Sequence, residues 1–104
     1  MKKNISIVVP VYNEAGSLQA LYTELVSVFS ELGSMYRYQL IFVDDGSTDG
    51  SVSIMQSIEG KDTQVSFVEF SRNFGKEAAL SAGIAKAKGN AVILMDADLQ
   101  HPPR

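Results

Sequence analysis

Residues 38–49 read YQLIFVDDGSTD, an apolar run that ends in an acidic and hydroxyl-rich stretch. The run is of strand length and nearly continuous in apolar residues, which is typical of a strand buried on both faces of a parallel sheet. The Asp, Gly, Ser and Thr residues that follow it favour turns and helix starts. The stretch therefore predicts a buried strand that passes through an acidic turn into a helix.

Three further apolar runs of similar length lie on either side of this stretch, at residues 5–11, 65–70 and 91–95. The runs 5–11 and 91–95 are again nearly continuous, so both predict strands that are buried on both faces. The run 65–70 is interrupted by Ser66 and Glu69, which favours a position nearer the edge of the sheet. The four runs together predict the strands of one sheet.

Helical patterns fill the three intervals between the runs. Residues 15–32 carry apolar side chains three and four positions apart, which predicts an amphipathic helix. A weaker pattern begins near Ser47 or Asp49 and ends at Gly60, and an Ala-rich pattern spans 76–88. The order β-α-β-α-β-α-β predicts an α/β fold, a Rossmann-like parallel sheet with helices on both faces.

The composition restricts the classes of protein to which the chain can belong. Its 104 residues suffice for one domain and not two, and 45% of them are hydrophobic. The net charge of −3 provides no basic surface for nucleic acid, and the absence of cysteine excludes disulfides and thiolate metal sites. No apolar stretch approaches the roughly 18 residues of a membrane helix. We therefore expect a soluble chain with no nucleic-acid partner. The absence of cysteine is compatible with a reducing compartment, and we expect a cytoplasmic location.

Acidic residues gather where the predicted strands end. In an open parallel sheet, ligands bind beyond the carboxyl ends of the strands, at the point where the strand order reverses. Like charges on one rim repel each other, so a neutralising cation or strong hydrogen-bond donors are expected there. Half of the acidic residues lie in the segments that follow the runs, namely Glu14, Asp44, Asp45, Asp49, Asp96 and Asp98.

The last acidic pair, Asp96 and Asp98, is separated by one residue. Residues two apart in an extended segment point the same way, so both carboxylates can face one site. Carboxylates suit Mg²⁺ or Mn²⁺, and Gln100 continues the alternation with an amide oxygen. His101 is either a further ligand or a solvent-exposed side chain. The alternative for the pair is a solvated turn after the strand.

The adjacent pair, Asp44 and Asp45, would serve two different partners, because neighbouring side chains of an extended segment diverge. One of them is a candidate acceptor for a base N–H or a ribose hydroxyl. The alternative is an Asx turn that caps the second helix, a role that also suits Asp49.

The segment after the first strand offers weaker candidates. Tyr12 either stacks on a flat base or packs at the rim of the core. Asn13 is a candidate helix cap, and the helix dipole alone explains Glu14 at a helix start. Pro10 lacks a backbone donor, which suits a strand end.

Arg72 and Lys76 bring cations to the same rim. Lys76 near a helix start opposes the helix dipole, so either an anionic partner or a salt bridge to a nearby acid explains it. The sequence lacks both G-x-G-x-x-G and G-x-x-x-x-G-K-[ST]. A diphosphate bound here therefore needs a metal ion in place of a glycine-rich cradle.

Three motifs, in this order and spacing, resemble those of the GT-A glycosyltransferases of family 2: VVPVYNE at residues 8–14, VDDGSTD at 43–49 and DADLQ at 96–100. The stretches FSRNFGKE at 70–77 and DLQHPP at 98–103 are similar to those of the dolichol-phosphate mannose synthase branch. That branch includes the bacterial polyprenyl-phosphate glycosyltransferases. The resemblance covers the whole chain.

The resemblance implies an enzyme that transfers a sugar, with inversion, from a UDP- or GDP-sugar to a polyprenyl or dolichyl phosphate. It also implies a Mg²⁺ or Mn²⁺ cofactor. In addition to Tyr12, the stacking candidate, the resemblance implies five residues that bind the nucleotide: Pro10, Glu14, Asp44, Asp45 and Asp96. The residues implied for the metal are Asp98, Gln100 and Asp96.

The family's catalytic domain is longer than this chain, so residues 1–104 resemble its nucleotide-binding half. The resemblance places the acceptor surface, the catalytic residues and the anchoring at the cytoplasmic face of a membrane in the other half. We therefore expect the isolated chain to be inactive. We also expect the fourth strand to lack a neighbour, which leaves apolar surface uncovered and favours self-association.

Two alternatives stay open, a non-catalytic nucleotide-binding module and a transferase to a saccharide hydroxyl. The hydroxyl acceptor would need a general base. A phosphorylation-accepting receiver domain and a phosphatase with a D-x-D nucleophile are disfavoured, because their acidic motifs follow the first strand. Here the acidic pairs follow the second and fourth runs.

Overall fold

The structure is a computed structural model that describes residues 3–97, apart from the side chain of Ser34. The predictions for Asp98, Gln100 and His101 therefore lie outside the described residues.

Within residues 3–97, four strands and three α-helices alternate, and a short 3₁₀ turn precedes the second strand. The predicted order is confirmed. The second helix begins at Ser51 and passes through Gly60, which was predicted to end it. The elements are β1 (Lys3–Val11), α1 (Ala15–Leu32), the turn Gly33–Met35, β2 (Tyr36–Asp44), α2 (Ser51–Lys61), β3 (Val65–Glu69), α3 (Lys76–Lys86) and β4 (Ala91–Leu94).

The four strands form one parallel sheet in the order β3-β2-β1-β4. The register pairs Val11 with Asp44, so β1 and β2 end side by side. The chain builds outward from β1 through β2 to β3 and then crosses to the other side of β1 for β4. The strand order therefore reverses at β1, and a ligand cleft is expected beyond its carboxyl end.

Alternate residues of the central strands are buried on opposite faces of the sheet. Ile7, Val9 and Phe42 join the core beneath α1 and α2. Val8 and Ile41 point the other way and join the smaller core beneath α3. Helices therefore cover both faces of β1 and β2, as predicted. Residues 7–10 of β1 and 40–43 of β2 are all apolar, as expected for strands that no water reaches. The buried hydroxyl of Ser6, just before this stretch, donates a hydrogen bond to the side chain of Gln39 at 2.6 Å.

The prediction that β4 is buried on both faces is wrong. Val92, Ile93 and Leu94 are 43%, 43% and 49% exposed. In the described part of the chain β4 pairs with β1 alone, so it forms an edge of the sheet. The predicted edge position of β3 and the predicted uncovered apolar surface at the fourth strand are both confirmed.

Gly83 sets how closely α3 approaches the sheet. A Cβ added there would collide with the side chain of Val8 and would press on Val43. Both valines are fully buried in the core, so they have no free space into which to move.

We predict that Gly83→Ala destabilises the protein by about 1–3 kcal/mol, the usual cost of overpacking a core. Gly16 in α1 is the matched control, because a Cβ there meets nothing within 4 Å. Gly16→Ala should leave stability unchanged or raise it by up to about 1 kcal/mol. Urea unfolding of the two variants measures the difference, and equal stabilities would contradict this account of α3 packing.

Candidate functional site

A cleft of about 230 Å³ opens at the carboxyl ends of β1, β2 and β4, beside the start of α3. Five of the six residues predicted for the nucleotide line it, so segments far apart in sequence converge as predicted. The lining residues are Pro10, Val11, Tyr12, Glu14, Asp45, Lys76, Asp96 and Ala97.

Asp45 is buried and its carboxylate is directed at the backbone of the loop between β3 and α3. Its two oxygens accept hydrogen bonds from the amides of Phe74 at 2.7 Å and of Gly75 at 3.0 Å. Its backbone carbonyl accepts a bond from the side-chain amide of Asn73 at 3.1 Å. Asp45 therefore fixes this loop at the edge of the cleft, a role that the sequence analysis missed.

Asp44 is 1% exposed and has a different environment. Its Oδ2 accepts a hydrogen bond from the backbone amide of Ser47, three residues on, at 3.1 Å. This bond closes the turn after β2, but it does not cap the second helix, which begins at Ser51. Its Oδ1 is buried and has no hydrogen-bond partner within residues 3–97. The two adjacent aspartates thus face different partners, and Asp44 lies outside the lining of the cleft.

Gly46 allows the loops after β2 and β3 to touch. Its φ is +84°, and a Cβ there would lie 2.6 Å from backbone atoms of Arg72 and Asn73. Any larger residue would have to push the two loops apart and adopt a strained backbone. The glycine of the DDGS motif is therefore required by this contact.

The loops after β1 and β2 are joined by Asn13. Its side-chain oxygen accepts hydrogen bonds from the amides of Thr48 at 2.7 Å and Asp49 at 3.2 Å. The backbone amide of Asn13 donates a hydrogen bond to the Ser47 hydroxyl at 2.9 Å. The prediction that Asn13 caps a helix is wrong, because Glu14 is the N-cap of α1 and Asn13 serves the neighbouring loop instead.

Asp49 and Ser51 complete this junction between the two helix starts. Asp49 accepts hydrogen bonds from the Ser51 hydroxyl at 2.6 Å and amide at 2.9 Å, and from the Ala15 amide at 3.2 Å. The amide of Glu14 donates to the Ser51 hydroxyl at 3.0 Å. The Ser51 hydroxyl holds the pKa of the Asp49 carboxyl below its ordinary value of 3.8. Asp49 has the structural role that its position predicted.

Lys76 and Asp96 form an ion pair across the cleft, with 2.8 Å between Nζ and Oδ1. The two side chains are 63% and 66% exposed. This is the salt bridge that the sequence offered as one explanation of Lys76. Arg72 instead lies over the ring of Phe74, 4.9 Å from its centroid, and it is absent from the cleft lining.

Tyr12 is 48% exposed at the cleft, so it does not pack in the core. Tyr12 lines the same cleft as Glu14 and the last residues of β1. This leaves an aromatic surface open to a planar ligand.

The described residues hold one of the three predicted metal ligands, Asp96. No group of three metal-ligating side chains occurs within residues 3–97. The chemistry still fits a hard cation, because Asp96 offers an accessible carboxylate beyond the end of a strand and Asp98 and Gln100 follow it in sequence.

None of the helices within residues 3–97 combines the length and apolar content needed to cross a membrane.

Comparison with known proteins identifies the family. Residues 6–104 match the glycosyl transferase family 2 domain. The chain belongs to this family.

Among curated relatives, a prophage bactoprenol glucosyl transferase homolog of Escherichia coli is 45% identical over 98 residues, which are 94% of this chain and 31% of the relative. An undecaprenyl-phosphate 4-deoxy-4-formamido-L-arabinose transferase of Aeromonas hydrophila is 42% identical over 104 residues, 97% of this chain and 31% of the relative. This family 2 chain thus spans about a third of the length of the curated relatives it matches.

Among solved structures, the mannosyltransferase PcManGT of Pyrobaculum calidifontis, in complex with GDP-Man and Mn²⁺, superposes with a TM-score of 0.75 at 26% identity. The match covers 94% of this chain and 28% of that one. The family 2 chain therefore has the Rossmann-like fold of the GT-A glycosyltransferases, as the sequence predicted.

We predict that Ser51→Ala raises the pKa of Asp49 toward 3.8, because it removes the hydroxyl that donates to the ionised carboxylate. Since folding lowers this pKa, the stability that Asp49 contributes is present above pH 3.8 and is lost as the pH falls through the lower, folded value. NMR titration of the Asp49 carboxyl carbon measures the shift. Ser53→Ala, an exposed change in the same helix, is the control, and an unaltered Asp49 pKa in Ser51→Ala would refute the assignment.

Proposed function

We propose that the protein transfers a sugar from a nucleoside diphosphate sugar to a polyprenyl phosphate, with the help of a divalent cation and with inversion at the sugar. The observation that carries this is the convergence of Glu14, Asp45 and Asp96 on one cleft at the point where the strand order reverses. This is the location at which open α/β sheets bind nucleotides.

The cleft offers distinct groups to the two parts of a nucleoside. The exposed ring of Tyr12 provides a surface on which a base can stack. Glu14 lines the same space and can accept a hydrogen bond from a base N–H or a ribose hydroxyl. Asp45 acts mainly by fixing the loop that closes this side of the cleft, because backbone amides already occupy its carboxylate. Pro10 forms part of the floor.

Asp96, Asp98 and Gln100 would hold Mg²⁺ or Mn²⁺. When bound, such an ion stabilises the charge that develops on the departing nucleoside diphosphate. The chain's own contribution is to orient the donor between the loops after β1 and β4. A solved structure of 26% identity holds GDP-Man and Mn²⁺, which supports both the donor class and the cation.

The acceptor is proposed from the relatives, two of which are named for transfer involving bactoprenol or undecaprenyl phosphate. The second pKa of a phosphate monoester is about 6. Such an acceptor is largely ionised at neutral pH and needs little help from a general base. This agrees with the cleft, where no acid is assigned to the role of a general base. Asp45 binds backbone amides, Asp96 forms an ion pair, and Glu14 is proposed to bind the donor. We place the reaction at the cytoplasmic face of the membrane.

We predict that the protein binds UDP or GDP, and that Mn²⁺ tightens the binding. Asp98→Ala should weaken Mn²⁺-dependent binding by about tenfold or more, because it removes a metal ligand. Isothermal titration calorimetry with each nucleotide, with and without Mn²⁺, measures this. Glu24→Ala removes the same charge from an exposed position on α1 and is the control. If neither nucleotide binds, the proposed donor site is refuted. If a nucleotide binds with the same affinity without Mn²⁺ and in Asp98→Ala, the proposed cation site is refuted.

The exposed apolar side chains of β4 predict self-association of this chain through its sheet edge. Ile93→Lys should shift the protein toward monomer, because a charged side chain on an edge strand opposes pairing. Val28→Lys, at an exposed position on α1, is the matched control. Light scattering at rising concentration measures the mass, and a monomeric parent chain would refute the prediction.

A further inference from the structure

Lys76 is the first residue of α3 and lies at the wall of the cleft. A cation at this end of a helix is electrostatically unfavourable, because the helix dipole presents its positive end there. The ion pair with Asp96 offsets that cost in the structure described here. An anion in the cleft therefore lowers the electrostatic cost of a lysine at this helix start.

Two of the carboxylates that line the cleft, Asp45 and Asp96, differ in how firmly they are held. Asp45 is buried and accepts hydrogen bonds from two backbone amides. Asp96 is paired with an ammonium on a long side chain, and both groups are largely exposed. Exposed ion pairs are weak and exchange readily with solvent and with other ions. Asp96 can thus change its partner at a lower cost than Asp45.

The backbone that carries Lys76 is held in place independently of that ion pair. Asp45 fixes the amides of Phe74 and Gly75, the two residues before Lys76. Gly75 has a φ of +105°, which turns the chain into α3. The helix start is therefore held without the ion pair, while the ammonium of Lys76 is largely exposed at the wall of the cleft.

From these observations we infer that Lys76 exchanges partners when the donor binds. Without the donor its ammonium pairs with Asp96 and occupies a carboxylate that the cation needs. When the cation takes Asp96, Lys76 turns to the diphosphate of the nucleotide. Lys76 is thus both a competitor of the metal ion and a ligand of the donor. This inference rests on the proposed function, because it requires a nucleoside diphosphate and a divalent cation in this cleft.

The exchange predicts effects of opposite sign on two affinities. In Lys76→Gln, Mn²⁺ alone should bind about two- to fivefold more tightly, because it no longer displaces an ammonium from an exposed pair. The same variant should bind UDP or GDP about tenfold more weakly at saturating Mn²⁺, because a charge-assisted hydrogen bond to the diphosphate is lost. Uridine or guanosine, which lacks the phosphates, should bind both proteins equally.

Mn²⁺ binding is measured by electron paramagnetic resonance of the free ion, and nucleotide binding by calorimetry, so neither readout depends on turnover. Lys86→Gln makes the same charge change at the other end of α3 and is the matched control. Lys76→Arg, which keeps the cation, should stay within about threefold of the parent protein in both affinities.

The possible outcomes separate this inference from the proposed function. A parent protein that binds neither nucleotide refutes the donor site itself. A parent protein that binds a nucleotide with Mn²⁺, together with Lys76→Gln affinities that are unchanged or that move in the same direction, refutes the exchange and leaves the donor site standing. Tighter Mn²⁺ binding together with weaker nucleotide binding supports the exchange.

Discussion

The parallel pairing of β1 with β2 is the constraint on which the rest of the structure depends. Both strands are covered by helices on both faces, so residues 7–10 and 40–43 are apolar, and acidic and polar segments follow where the strands end. The register that sets Val11 beside Asp44 then brings two polar loops together at one rim. The third polar segment joins them because β4 pairs with the other side of β1.

Side chains that bind backbone amides turn these neighbouring loops into one rigid surface. Asn13 joins the loops after β1 and β2, and Asp45 joins the loops after β2 and β3. Loop amides that are buried or partly buried need acceptors, and short polar side chains supply them here. The acids that remain accessible in the cleft are therefore presented on a preorganised frame, which lowers the ordering cost of binding a ligand.

Several features of the fold and the site could be predicted because they depend on local pattern. The order of elements, the structural role of Asp49 and the acidic rim follow from runs of apolar residues and from what ends them. The burial of β4 could not be predicted, because an apolar run shows that a strand avoids water but not how many neighbours it has. The role of Asn13 was misjudged for a related reason, since its partners lie 35 and 36 positions away in sequence.

The sequence by itself determined an α/β fold, the acidic segments at its strand ends and, through its motifs, membership of the glycosyl transferase family 2. The tertiary structure alone decided which carboxylate is available. Asp44, Asp45 and Asp96 are the same residue type in similar local contexts, yet one is buried in a turn, one holds a loop and one is exposed and paired with Lys76. Hydrogen bonds and burial depend on what the folded chain brings near each carboxylate, and residue type and spacing do not record those neighbours.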